Sequence, residues 1–146
     1  MKLLIEQNDM QKETEIHIKC GIIDADLQHI IDEIHISMFS VMVSKDGVIR
    51  KLSLDEIFYF ESVDERTFVY SQAEVYLCDY KLYEIEEKFG KYGFARISKS
   101  AIVNIRKIKE IKPQLNGRFE AVLDNGERQV VNRHYVSGLK EKFVLR

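Results

Sequence analysis

Phe94-Ala95-Arg96-Ile97-Ser98-Lys99-Ser100-Ala101-Ile102-Val103-Asn104-Ile105-Arg106-Lys107 is the stretch on which the reading of this sequence turns. It sets four cations, two serines and an asparagine among apolar residues. Alternation at its start predicts a strand, and Ser98-Lys99-Ser100 predicts a tight polar turn. Phe94, Ile97, Ile102 and Val103 are read as core. The polar set, centred on Lys99, is then presented on one side, as a surface for an anionic, hydrogen-bonding partner requires.

The charge distribution supports that reading. The net charge of −2 is the balance of two unlike halves. Residues 1–90 carry 9 Lys/Arg and 19 Asp/Glu, a balance of −10, while residues 91–146 carry 13 Lys/Arg and 5 Asp/Glu, a balance of +8. Polyanion binding is therefore expected at the basic end. A chain of 146 residues, 45% hydrophobic and 32% charged, has the composition of a soluble globular protein with a full core. With one proline and no linker-like run, it reads as one domain with a small N-terminal appendage.

Several classes of function find no support. The N-terminus turns acidic too soon for a signal peptide, and no apolar run approaches the roughly 20 residues needed to span a bilayer. A cytoplasmic location without membrane insertion is the expectation. Cys20 and Cys78 are far apart, form no CxxC, and are expected to be buried free thiols. His17, His29, His35 and His134 show no metal-binding spacing, and no nucleophile elbow, phosphate loop or dinucleotide fingerprint occurs. The expectation is no enzyme, no metal, no cofactor and no small-molecule substrate.

Read in order, residues 2–6 and 15–20 are predicted as short strands, the second from the alternation Glu15-Ile16-His17-Ile18-Lys19-Cys20. Asp24 is a candidate N-cap for a helix of about four turns, with Leu27, Ile30, Ile31, Ile34 and Met38 as its apolar stripe. A hairpin turning at Asp46-Gly47 follows. The aromatic strand Ile57-Phe58-Tyr59-Phe60-Glu61-Ser62 comes next, then a polar loop, its partner over residues 67–71, and a strand over 75–78. A helix over residues 81–89 buries Leu82, Ile85 and Phe89 and ends at Gly90 and Gly93. Beyond the opening stretch, residues 108–112, 119–123 and 128–131 are strands joined by turns at Asn116-Gly117 and Asn125-Gly126. A terminal helix over residues 134–143 uses Val136, Leu139 and Phe143. The class is α+β, mainly antiparallel, with a strand-strand-helix extension over residues 1–40 and the main domain over 41–146.

Cations in β-rich structure with frequent turns suit loops that present them together to a groove. Ordinary solubilising surface cations remain the alternative on composition alone.

The residues also carry a resemblance. Ile57-Phe58-Tyr59-Phe60-Glu61, Leu82-Tyr83-Glu84-Ile85-Glu86-Glu87, the signature of residues 94–104, Asn116-Gly117, Asp124-Asn125-Gly126 and Val131-Asn132-Arg133-His134-Tyr135 resemble the LytTR DNA-binding domain family. They follow its order and spacing over roughly residues 45–145. The resemblance implies a bacterial transcription regulator with an elongated β-β-β domain, whose loops enter successive major grooves on one face of double-stranded DNA. It places base contacts at Glu65 and Arg66, at Ser98 and Lys99, and at Arg133. Backbone contacts fall at Arg96, Ser100, Asn104 and Lys107.

Two departures stand out. Ser98-Lys99-Ser100 replaces the family's His-Arg-Ser, and Val130-Val131-Asn132-Arg133 keeps only the arginine of Pro-Val-Ser-Arg. The 40 residues before the domain are too few for a phosphoacceptor receiver, so the expectation is a likeness to the family's small stand-alone group. The extension is expected either to cap the sheet or to mediate dimerisation. A homodimer on a direct or inverted repeat is expected. The rival reading is an interaction module that keeps the fold but binds a partner protein.

Overall fold

Neighbouring residues of the aromatic strand point into two different cores, and this decides the architecture. A computed structural model describes residues 1–144. Its elements are α1 (Ala25–Met38), β1 (Ser40–Lys45), β2 (Val48–Ser53), β3 (Tyr59–Val63), β4 (Arg66–Tyr70), β5 (Val75–Cys78), α2 (Leu82–Phe89), β6 (Phe94–Ser98), β7 (Ala101–Asn104), β8 (Ile108–Pro113), β9 (Phe119–Leu123), β10 (Arg128–Val131) and α3 (Arg133–Val144). β1 to β7 form one sheet in the order β2-β1-β5-β4-β3-β7-β6, and β8 to β10 form a second in the order β10-β9-β8. Every pairing is antiparallel.

Side chains alternate across a strand. Phe60 therefore joins Phe94, Ile102, Leu54, Ile85 and Phe89 in one cluster, under α1 and α2. Tyr59 joins Ala95, Ile97, Val103, Leu123, Val131 and Leu139 in the other, under the small sheet and α3. With apolar layers on both faces, all four residues of β7 are buried. Each large side chain so enclosed contributes about 1.5–3 kcal/mol relative to exposure.

The mainly antiparallel α+β class is found as expected, and so are the hairpins, α2 and α3. The N-terminal strands are not. Residues 2–6 and 15–20 form no strand, and all of residues 1–23 are exposed, including Ile16, Ile18 and Cys20. Alternation supplies a face but not a partner, and a short two-stranded ribbon without a core beneath it is marginal in water. Cys20 is thus exposed rather than buried; Cys78 is half-buried.

α1 forms as predicted, capped by Asp24, which accepts from the Leu27 N–H at 2.9 Å. Its inward face differs from the expected stripe. Asp32 and Ile36 are buried, whereas Ile30 and Met38 are exposed. Polar contacts set this rotation: the Arg106 Nε donates to Glu33 at 2.7 Å, and the His35 ring packs 4.9 Å from that of Tyr92.

Candidate nucleic-acid interface

The two-residue hairpin β3–β4 closes with Val63 opposite Arg66. Its central residues, Asp64 and Glu65, have φ of 50° and 63°. Two left-handed residues are what the strand twist demands there, and glycine usually supplies the second. The β1–β2 turn does this with Asp46-Gly47. Glu65 is held where its side chain is disfavoured, and strain of this kind gathers at functional sites.

The β6–β7 turn lies beside that hairpin. Because β3 runs antiparallel to β7, with Glu61 opposite Ala101, both turns sit at one end of the sheet. The Ser62 N–H donates to the Ser100 carbonyl at 2.8 Å and links them. Within the turn, the Ser98 Oγ accepts from the Ser100 N–H at 3.1 Å. Lys99 and Ser100 are exposed.

Arg133 reaches the same edge by a different route. The Asn132 N–H donates to the Ile97 carbonyl at 2.9 Å, which fixes the start of α3 beside the last residues of β6. The Arg133 side chain rises over the β8–β9 turn, where a Cβ added at Gly117 would lie 3.4 Å from the Arg133 Cβ. Arg118 is exposed in the same turn.

The structure therefore gathers Glu65, Arg66, Ser98, Lys99, Ser100 and Arg133 along one edge. Among the described residues, no carboxylate lies within ion-pair distance of Arg66, Lys99, Arg118 or Arg133, while Arg96, Arg106, Lys107, Lys112 and Arg128 each have one. The Arg66 guanidinium rests 5.6 Å from the Phe68 ring centroid.

Other expected contacts lie elsewhere. Arg96 faces inward to the turn: its Nε donates to the Ser98 carbonyl and its Nη2 to the Lys99 carbonyl, both at 2.9 Å, while Nη1 meets Glu86 at 3.3 Å. Asn104 does not reach the surface. It is 1% exposed, donates to the Ile57 carbonyl at 2.8 Å and accepts from the Arg106 N–H at 3.1 Å, pinning the far end of β7. Lys107 follows that same far end, over the Phe58 ring and 4.0 Å from Asp55. Sequence reading gave Glu86 no role at the turn, because only tertiary contact brings it to Arg96. It also missed Ser62, whose contribution is a backbone N–H without a side-chain signal.

Where ionisation is moved, it moves away from neutrality. Burial, and then a hydrogen bond with Glu127, push Tyr59 up, and burial pushes the Cys78 thiol up to about 11. Among the described residues no three His, Cys, Asp or Glu side chains converge as a metal site would require, and no helix is long and apolar enough to cross a membrane.

The sequence profile of the LytTr DNA-binding domain matches residues 47–144. The chain belongs to the LytTR family. A solved LytTr DNA-binding domain from Bacillus cereus superposes with a TM-score of 0.67 at 29% identity, covering 70% of this chain and 94% of that one. The sensory transduction protein LytT of Bacillus cereus is 27% identical over 131 residues, which span 90% of this chain and 50% of LytT. LytT of Enterococcus faecalis is 36% identical over 91 residues, 62% of this chain and 38% of LytT. This LytTR chain thus spans half or less of the LytT relatives it matches. An HTH-type transcriptional regulator of Staphylococcus aureus is 24% identical over 144 residues, 97% of each chain. The family is one of DNA-binding domains rather than enzymes.

Proposed function

We propose that this chain is a sequence-specific regulator of transcription that binds double-stranded DNA as a homodimer in the cytoplasm. Its turns enter successive major grooves on one DNA face. The observation that carries the reading is the shared edge, where three segments from distant parts of the sequence offer Arg66, Lys99 and Arg133, none with a carboxylate partner among the described residues. Arg133, Lys99 and Arg66 read base edges, with Ser98 and Glu65 completing the donors and acceptors. Arginine and lysine donate to guanine, and a carboxylate accepts from cytosine. Ser100 fixes register on phosphates. Arg96 and Asn104 hold the turn and the strand behind it, and Lys107 stands apart from the edge.

A gel-shift titration of Arg133→Ala tests this, with a selected site and a scrambled duplex as probes. Loss of a base-reading arginine lowers affinity for the site by about 1–3 kcal/mol and leaves the scrambled duplex nearly unchanged. Equal losses on both probes exclude base reading at Arg133. Failure to retain any duplex at low salt favours a protein partner instead.

A further inference from the structure

Arg66 and Lys99 belong to turns of the large sheet, whereas Arg133 opens α3 and lies over a turn of the small one. These cations can meet successive bases in register only if α3 is fixed against the large sheet. Two sets of hydrogen bonds fix it. At the helix start, the Asn132 N–H donates to the Ile97 carbonyl at 2.9 Å. At its last turn, the Lys142 Nζ donates to the Gly90 carbonyl at 3.0 Å and to the Phe94 carbonyl at 3.2 Å. α3 therefore runs antiparallel along β6, the outer strand of that sheet, and is tied to both of its ends.

The other contacts of α3 are of different kinds. Leu139 is 1% exposed, and Tyr135, Val136 and Phe143 pack against the same cluster. Apolar burial is non-directional, so it tolerates sliding and rotation. The Lys140 Nζ sits 4.1 Å from the Phe119 ring centroid, which ties the helix to the small sheet rather than the large one. A charged donor shared by two carbonyls is directional, and stronger than a neutral hydrogen bond.

We infer that Lys142 is a positioning residue for Arg133. It stands nine residues further along the chain, roughly 14 Å away along the helix axis. That places it at the end of β6 opposite the Ser98–Ser100 turn, away from the shared edge. It holds the far end of the helix, so that the near end presents Arg133 in register with Lys99 and Arg66. Without the ammonium, two carbonyls lose this donor and α3 leaves its register for part of the time. Affinity for a specific site then falls with the fraction of correctly placed helix.

The inference rests on base reading by Arg133, so both residues are varied in a double-mutant cycle on the full chain. Fluorescence-anisotropy titrations use a selected site and a scrambled duplex, and far-UV circular dichroism checks the fold. Lys142→Met keeps the apolar stem and is expected to weaken binding to the site about tenfold, with the scrambled duplex changed by less than about twofold. With Arg133→Ala already present, adding Lys142→Met is expected to cost less than about twofold more, because the side chain it positions is gone. An Arg133→Ala chain that keeps full discrimination between the duplexes overturns the base reading on which the inference stands. Where Arg133→Ala loses discrimination, four results overturn the positioning role alone: Lys142→Met binds the site as tightly as wild type, weakens both duplexes equally, adds its full effect to Arg133→Ala, or does not fold.

Discussion

Arg96→Ala separates two roles for a residue whose position in the signature suggests DNA contact. The guanidinium donates to two backbone carbonyls of the turn at 2.9 Å, and its side chain is 21% exposed. Hydrogen bonds from a charged donor contribute about 1.5–3 kcal/mol each, and the partial exposure puts these near the low end. The contact with Glu86 adds little, since that carboxylate is half-exposed. The expected cost is about 2–3 kcal/mol of folding stability, a fall in Tm of about 5–10 °C for a chain of this size. DNA affinity should drop about tenfold through a loosened Ser98–Ser100 turn. The dependence of log K on log salt should keep its slope, because no phosphate contact is lost. Arg96→Lys should recover less than half of the stability, since one ammonium cannot reach both carbonyls in a fork. Thermal unfolding and a salt series of fluorescence-anisotropy titrations decide the case. A slope shallower by about 0.9 with Tm unchanged would mean that Arg96 neutralises a phosphate, and the clamp argument would fail.

Three further outcomes are expected. Asn104→Leu leaves the Ile57 carbonyl and the Arg106 N–H buried without their partner, and urea unfolding should show a loss of about 2–4 kcal/mol. Glu65→Gly relieves a left-handed non-glycine residue, so stability should rise by about 0.5–1 kcal/mol while discrimination among DNA sites falls, as read by competition binding. Cys78 keeps its proton to about pH 11, so a thiol reagent at pH 8 should label Cys20 alone in the native chain and both cysteines in denaturant. The sign of the linkage follows. The folded thiol holds its proton more tightly than the unfolded one, so this contribution to stability is present below pH 9 and lost as pH rises to about 11.

The strands of the main domain were legible because their signals are local: alternation, aromatic and β-branched residues, and turns marked by Asp46-Gly47 and Asn116-Gly117. The basic end and the exposed Lys99 turn were legible too, from charge counting and the polar triplet. The two predicted strands before residue 24 show the limit of that reasoning. Alternation states which face is apolar, and only a partner strand makes it a sheet. α1 shows it again, since its rotation follows Glu33 and His35 meeting residues some 57–73 positions away rather than its own apolar stripe.

By itself, then, the sequence determined the α+β class, the hairpins, the charge asymmetry and the cations worth testing. Tertiary structure decided which of those cations lie together. Arg96 and Arg133 look alike in the sequence, yet one turns inward to two carbonyls of its own turn and the other rises beside a distant glycine at the sheet edge. The difference lies in pairings such as Asn132 with Ile97 and Ser62 with Ser100, backbone contacts across 35 and 38 residues. A backbone hydrogen bond carries no side-chain signature, so the fold has to form before the edge exists.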